Sequence, residues 1–131
     1  PPIWIGGHSK AALRRTARLG DAWHPIGLGA EEVARGKATL ETLCQEVGRD
    51  PASVEIGVKC NLDLHDKPST VNNRPPFSGN VDQIKEDVNR FKDIGVHSLS
   101  FRPAVGTRAV EDLSEILRWL ETMALVKEEF A

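Results

Sequence analysis

A short apolar run, a break at glycine or proline, then a helical stretch: this pattern occurs four times along the chain and limits its fold more than any other feature. When strand and helix alternate in one direction, each helix returns the chain to the edge where the previous strand began. The strands are then parallel and the crossovers right-handed. Two closures satisfy that rule, an open doubly wound sheet and an arc of a (β/α)8 barrel, the TIM barrel. A complete barrel takes about 250 residues, and this chain has 131. The sequence therefore reads as α/β, one domain over residues 1–131, a partial (β/α)8 TIM barrel of four βα units, or half-barrel. Half a barrel leaves one sheet face and two strand edges without partners. Completion by self-association or by a missing N-terminal half is expected. A start at Pro1-Pro2, without Met and already entering a strand, fits a fragment, a processed product or a trimmed chain.

The first unit is the strand Ile3–Ile5, the turn Gly6-Gly7, and a helix capped by Ser9, with His8 as the alternative cap. Its buried stripe is expected to be Ala12, Leu13, Thr16, Ala17 and Leu19, and Gly20 is expected at C′. The second unit runs Ala22-Trp23-His24-Pro25, a loop with Gly27 and Gly29, and a helix from about Ala30 to Gly48. Glu31 and Glu32 suit that helix's positive end, and Val33, Leu40, Leu43, Cys44 and Val47 make its apolar face. The third opens at Arg49-Asp50-Pro51 and continues as a strand, Val54–Leu64, with strict alternation. Val54, Ile56, Val58, Cys60, Leu62 and Leu64 face one way, and Glu55, Lys59, Asn61 and Asp63 the other. Residues 65–77 then form a long loop, of the kind that is functional or disordered in a compact domain. A helix from Val81 to Ile94 follows, capped by Asn80, with Gly79 or Ser78 as alternatives, and closed by Gly95. The fourth unit is the strand Val96–Arg102, ended by Pro103, and a helix from Ala109 to about Glu128. The expected stripe of this last helix is Val110, Leu113, Ile116, Leu117, Leu120, Met123 and Ala124, with Trp119 beside it.

Composition removes several function classes. The formal net charge is -2, which offers no basic face for nucleic acid. No apolar run approaches the roughly 20 residues of a membrane span, and the start lacks a signal peptide's layout. Cys44 and Cys60 fall in different elements, as expected of two reduced thiols in a cytoplasmic protein. No His, Cys and Asp cluster has zinc-ligand spacing.

Gly6-Gly7 followed by Ser9 serves either of two ends. It is a tight strand–helix turn with a capping serine, or a phosphate cradle built from backbone amides and a helix N-terminus. Pro25-Ile26-Gly27 is a second glycine loop open to the same two readings. His24 reads as a structural histidine, and His65 and His97, which show no partner spacing, as surface residues. Arg102 stands at a strand's C-terminal end, where barrel enzymes place functional groups, and Arg108 is a weaker instance. Asn61 and Asp63 are candidates for lining the barrel interior.

The run Ile3-Trp4-Ile5-Gly6-Gly7-x-Ser9, continued by Ala12 and by Ala17-Arg18-Leu19-Gly20-Asp21-Ala22-Trp23-x-Pro25, resembles the luciferase-like monooxygenase superfamily. Gly48-Arg49-Asp50-Pro51, Ser78-Gly79 and Lys92-Asp93-Ile94-Gly95-Val96 stand in that family's order. The resemblance implies a TIM barrel whose strands five to eight are the four seen here, so that the chain is the C-terminal half of an oxidoreductase or monooxygenase. It implies FMN or coenzyme F420 as cofactor and a small-molecule substrate; the homo-oligomer is expected from the unpaired edges of the half-barrel. It also implies a cofactor phosphate site at Gly6, Gly7, His8 and Ser9, joined by Pro25 and Gly27. Ile26 departs from the family, which often has a hydroxyl-bearing residue there. Catalytic residues around the cofactor ring would come partly from the other half, leaving this chain inactive alone. The competing readings are a non-enzymatic half-barrel that dimerises and binds a phosphorylated small molecule, and an unrelated phosphate-binding domain with an open sheet.

Overall fold

The structure is a computed structural model that describes residues 1–105, 108–109 and 112–130. In chain order it contains β1 (Trp4–Gly6), α1 (Lys10–Leu19), β2 (Ala22–His24), α2 (Ala30–Glu46), a 3-10 turn (Pro51–Ser53), β3 (Glu55–Leu64), β4 (Ser78–Gly79), α3 (Val81–Asp93), β5 (Ser98–Val105), β6 (Arg108–Ala109) and α4 (Leu113–Phe130). The four expected units are β1α1, β2α2, β3α3 and β5α4. The sheet order is β1-β2-β3-β5-β6, with β4 beside β3. All pairs are parallel except β5 with β6.

Register explains the layering. Trp23 is level with Ile56, and Val58 with Leu99, so the apolar half of each alternation falls on one sheet face. That face carries Trp23, Ile56, Val58, Cys60 and Leu62, in one core with Leu13 of α1, Val33 and Leu40 of α2, Ile84 and Phe91 of α3, and Val126 of α4. All four helices therefore cover the same face, as in a barrel wall and unlike a doubly wound sheet. The uncovered face is polar: Glu55, Lys59, Ser100 and Arg102 are exposed along it. What the half-barrel leaves unsatisfied is thus strand edge, not an apolar wall.

Trp23 shows how tightly the covered face is built. Its indole is fully buried, and an added Cβ at Gly36 would stand 2.2 Å from the ring. Only glycine lets α2 approach that closely. Ser9 caps α1, its hydroxyl accepting the Ala12 N–H at 3.2 Å. Asn80 and Gln83 form a reciprocal capping box on α3. The ends of α2 and α3 fold back at Gly48 and Gly95, where Arg49 N–H reaches Cys44 O and Val96 N–H reaches Phe91 O.

Several sequence expectations change. Gly20 is the C-cap of α1 with φ -90, and its small size, not a left-handed conformation, suits the close approach of Ile5 and Thr16. Leu19 is 68% exposed and Val47 43%, because each lies at a helix end beyond the packed stripe. The third strand begins at Glu55, since Val54 still closes the 3-10 turn. Pro103 does not end the fourth strand: β5 starts at Ser98 and runs to Val105. A proline is tolerated there because only β3 pairs with β5 at that position among the described residues. Ala109 belongs to β6, so the last helix starts at Leu113; Val110 lies outside the described residues. Of its expected stripe, Leu113, Leu117, Leu120 and Ala124 are exposed, while Thr122 and Val126 are buried and Trp119 and Met123 half-buried. The helix is rotated from the position that its leucines alone suggest.

Candidate functional site

The C-terminal ends of the strands and the loops after them form one rim. At its β1 corner, Gly7 has φ +88, a conformation that L side chains rarely adopt. The Trp23 indole N–H donates to Gly7 O at 2.7 Å and fixes the turn from below. The first helical amides have no intrahelical acceptor. The cap takes the Ala12 amide, which leaves those of Lys10 and Ala11. There is no acidic residue in this first turn, and Lys10 adds a positive charge. These residues fit an anionic group such as a cofactor phosphate.

The β2 corner is built differently. Pro25 O accepts from Lys59 N–H at 2.9 Å, and Gly27 N–H donates to Lys59 O at 3.0 Å, so both residues are tied into the sheet. Ile26 bridges to Lys59 between them and is 56% exposed. The α2 start carries Glu31 and Glu32, and the Glu32 carboxylate accepts from Gly29 N–H at 2.9 Å. Negative charge therefore stands where an anion would have to sit. Gly27 still offers open space, since an added Cβ there would touch nothing within 4 Å. Between the two corners lies a groove of about 480 Å³ lined in part by His8, Lys10, Arg35 and Leu28.

The histidines have definite places. His24 Nδ1 lies 2.6 Å from Gly57 O, which can only accept, so this nitrogen carries the proton. Its ring also meets Trp4, centroid to centroid at 5.1 Å, making it a structural residue as the sequence suggests. His97 Nδ1 accepts the Ile56 N–H at 3.0 Å, and His65 Nε2 lies 3.1 Å from Asp63 Oδ1. Both are exposed, as expected of surface residues; each also meets a neighbour on β3, which sequence distance or strand geometry concealed. Arg102 Nε donates to Asn61 Oδ1 at 3.1 Å across β5 and β3. The side chain of Arg108 lies outside the described residues.

Sequence reading missed the anchor of the long loop. Asp87 on α3 is buried, and its carboxylate accepts from Arg74 at 2.5 and 3.1 Å and from Phe77 N–H at 2.8 Å. Gln83 holds the same loop by accepting Ser69 N–H at 2.8 Å and donating to Ser69 O at 3.0 Å. Phe77 takes φ +59, unusual for a bulky residue, and packs between Phe91 and Phe101 at 5.1 and 5.0 Å. The one available signal was an Asp on the apolar side of an amphipathic helix, close to Val88 and Ile84. Burial pushes the Cys60 thiol up to about 12, with the Asp87 charge adding to the shift. Burial likewise raises Cys44. Both are free thiols, and no metal-ligating cluster occurs among the described residues. No helix among them is long and apolar enough to cross a membrane.

Comparison with known proteins places this geometry. A family model of luciferase-like monooxygenases matches residues 1–92, which include both corners of the rim. The phthiodiolone/phenolphthiodiolone dimycocerosates ketoreductase of Mycobacterium tuberculosis is 34% identical over 55 residues, 41% of this chain and 14% of that protein. Its counterpart from Mycobacterium kansasii is 36% identical over 55 residues, 15% of its length. The aligned part is thus a small share of these curated relatives. Among solved structures, the coenzyme F420 dependent tetrahydromethanopterin reductase from Methanopyrus kandleri superposes with TM-score 0.65 and 8% identity, over 79% of this chain and 45% of that one. DmoA from Hyphomicrobium sulfonivorans gives TM-score 0.69 and 11% identity, over 100% of this chain and 42% of that one. An F420-dependent secondary alcohol dehydrogenase gives TM-score 0.61 and 10% identity, over 78% and 43%. At these identities the structures show the shared fold, and the chain spans under half the length of each.

Proposed function

This chain belongs to the luciferase-like monooxygenase family, and from that membership we propose that it supplies the phosphate-binding part of the cofactor site in a flavin- or deazaflavin-dependent oxidoreductase. The observation that carries the reading is the β1 corner: a glycine turn with φ +88, held from below by Trp23, ahead of a helix start without acidic residues. Gly6, Gly7, His8 and Ser9 would hold the phosphate through backbone amides and the Ser9-capped end. Pro25 and Gly27 would border the ligand by close approach, their backbone groups being engaged with Lys59. When bound, FMN or coenzyme F420 supplies the hydride or oxygen-activating chemistry. The two structural neighbours named as F420-dependent favour the deazaflavin. This chain's part is to bind, orient and shield.

On this reading the chain turns over no substrate alone and works within a completed barrel, in a homo-oligomer or with another half. Among the described residues β1 pairs only with β2, and that edge, with the exposed Leu113, Leu117 and Leu120 on α4, favours association. The cytoplasm, where its thiols stay reduced, is the compartment it fits.

The test is to add FMN and coenzyme F420 separately to the purified chain, remove free ligand by gel filtration, and record bound absorbance. Retention of either that is lost in Gly7→Ala supports the reading, because a Cβ there meets both a left-handed φ and Ala12 at 3.3 Å. Retention of neither, by a folded chain in monomeric and associated fractions alike, ends it.

A further inference from the structure

The last helix, α4, buries Thr122 and Val126 and leaves its leucines outside. Leu113, Leu117 and Leu120 are 69%, 52% and 51% exposed, and Ala124 is exposed with them. These four residues lie 4, 3 and 4 positions apart, the spacing of an apolar seam between two helices. At about 100° per residue, Leu117 stands about 180° round the helix from Val126, and Leu120 about 160° from Thr122. The seam therefore faces away from the sheet. Completing a barrel extends the ring of helices sideways from α4 and does not reach that side. Whatever covers the seam approaches from outside the ring.

The seam fits its own copy. A two-fold axis between Leu117 and Leu120, perpendicular to the helix, sets Leu117 beside the partner's Leu120 and Leu113 beside the partner's Ala124. Large meets small at both ends, and the two helices run antiparallel. The next seam position is Lys127, also exposed. A parallel pair would set Lys127 against the partner's Lys127, like charge against like. The antiparallel pair carries it past the end of the seam toward the partner's Asp112, a carboxylate at the helix start.

The uncovered sheet face does not suit a second copy. Two half-barrels close about a two-fold axis along the barrel, which places each inward residue opposite itself at the same height. Lys59 and Glu55, both exposed on that face, would then meet the partner's Lys59 and the partner's Glu55 in an enclosed space. Like charges brought together out of water oppose such a closure.

We propose that two copies of this chain pair antiparallel through α4, with Leu113, Leu117, Leu120 and Ala124 as the seam and the open sheet faces turned away from each other. The inference deepens the homo-oligomer of the reading above and rests on that part of it alone. The seam spans about three helical turns, roughly 17 Å. That is less than the contact of a standard interface of about 1,200 Å² or more, so the pair is weak, with a dissociation constant on the order of 100 µM.

Sedimentation equilibrium on the intact chain, from about 10 µM to about 2 mM at physiological salt, brackets that constant and should show a reversible monomer–dimer equilibrium. Leu117→Glu should weaken it at least about tenfold, because it puts a carboxylate into the seam from each copy. Leu125 is the control: it is 59% exposed on the same helix but about 80–140° round from the seam residues. Leu125→Glu and Lys59→Glu should each change the constant by less than about twofold. Circular dichroism confirms that each variant is folded. Mild oxidation with oxidised glutathione reads the orientation, since the native thiols are buried. A mixture of Leu113→Cys and Ala124→Cys chains should link into dimers faster than either variant alone, whose paired thiols lie roughly 17 Å apart along the seam. A monomer at the highest concentration overturns the proposal. So does an equal loss in Leu125→Glu and Leu117→Glu, an effect of Lys59→Glu as large as that of Leu117→Glu, or linkage of Leu113→Cys alone as fast as the mixture. Cofactor retention is read on its own, so failure of the phosphate site leaves this pairing standing, and the reverse also holds.

Discussion

Replacing Asp87 with alanine should unfasten the long loop and cost a large share of the chain's stability. The carboxylate accepts two N–H groups of Arg74 and the amide of Phe77. Its side chain is 5% exposed and that of Arg74 13%. Removing one member of a buried, hydrogen-bonded ion pair costs about 3–5 kcal/mol, because the other charge is left without its partner. Alanine recovers about 0.5 kcal/mol of helix propensity. The expected net loss is about 2.5–4.5 kcal/mol, against the 5–15 kcal/mol that holds a typical domain. Urea unfolding measures it, and amide exchange at Phe77 reports whether the loop has come loose. Arg74→Met in the Asp87→Ala background should restore about 1 kcal/mol or more by removing the stranded charge. A loss under about 1 kcal/mol, or unchanged protection at Phe77, would refute the idea that this pair organises residues 65–77.

Two further outcomes follow from the same structure. Ser9→Ala removes the acceptor of the Ala12 N–H and should lower stability by about 1 kcal/mol in thermal or urea melts; no change would mean that water replaces the cap fully. For Cys60, the folded thiol is raised by burial from 9.0 to about 12, so the unfolded chain loses its proton first as pH rises. Stability should be flat with respect to this group below pH 9 and fall by about 1.4 kcal/mol per unit between pH 9 and 12. Cys60→Ala, compared with wild type by urea unfolding at pH 8 and pH 10.5, should lack that fall, and parallel slopes in the two proteins would count against it.

The sequence by itself determined the order of the four strand–helix units, their parallel pairing and which half of β3 faces the core, but not the short β4 and β6. Those are local matters: alternation in Val54–Leu64, a stripe in Val81–Ile94, a cap at Ser9 or Asn80 and a glycine at Gly48 or Gly95 each act within a few residues. The glycine turn at Gly6-Gly7 was legible for the same reason. Tertiary structure alone decided the rest. Whether α4 turns its leucines or its Thr122–Val126 side inward depends on the surface offered by α3 and β5, not on the helix's own pattern. The partners of Asp87, Asp63 and His97 lie on neighbouring elements, and Arg74 meets Asp87 only because Phe77 and Ser69 hold the loop against α3. β2 is three residues long and β3 ten, and the cavity bordered by Leu28, Asn61 and Phe77 beyond the end of β2 shows only once the two strands lie side by side.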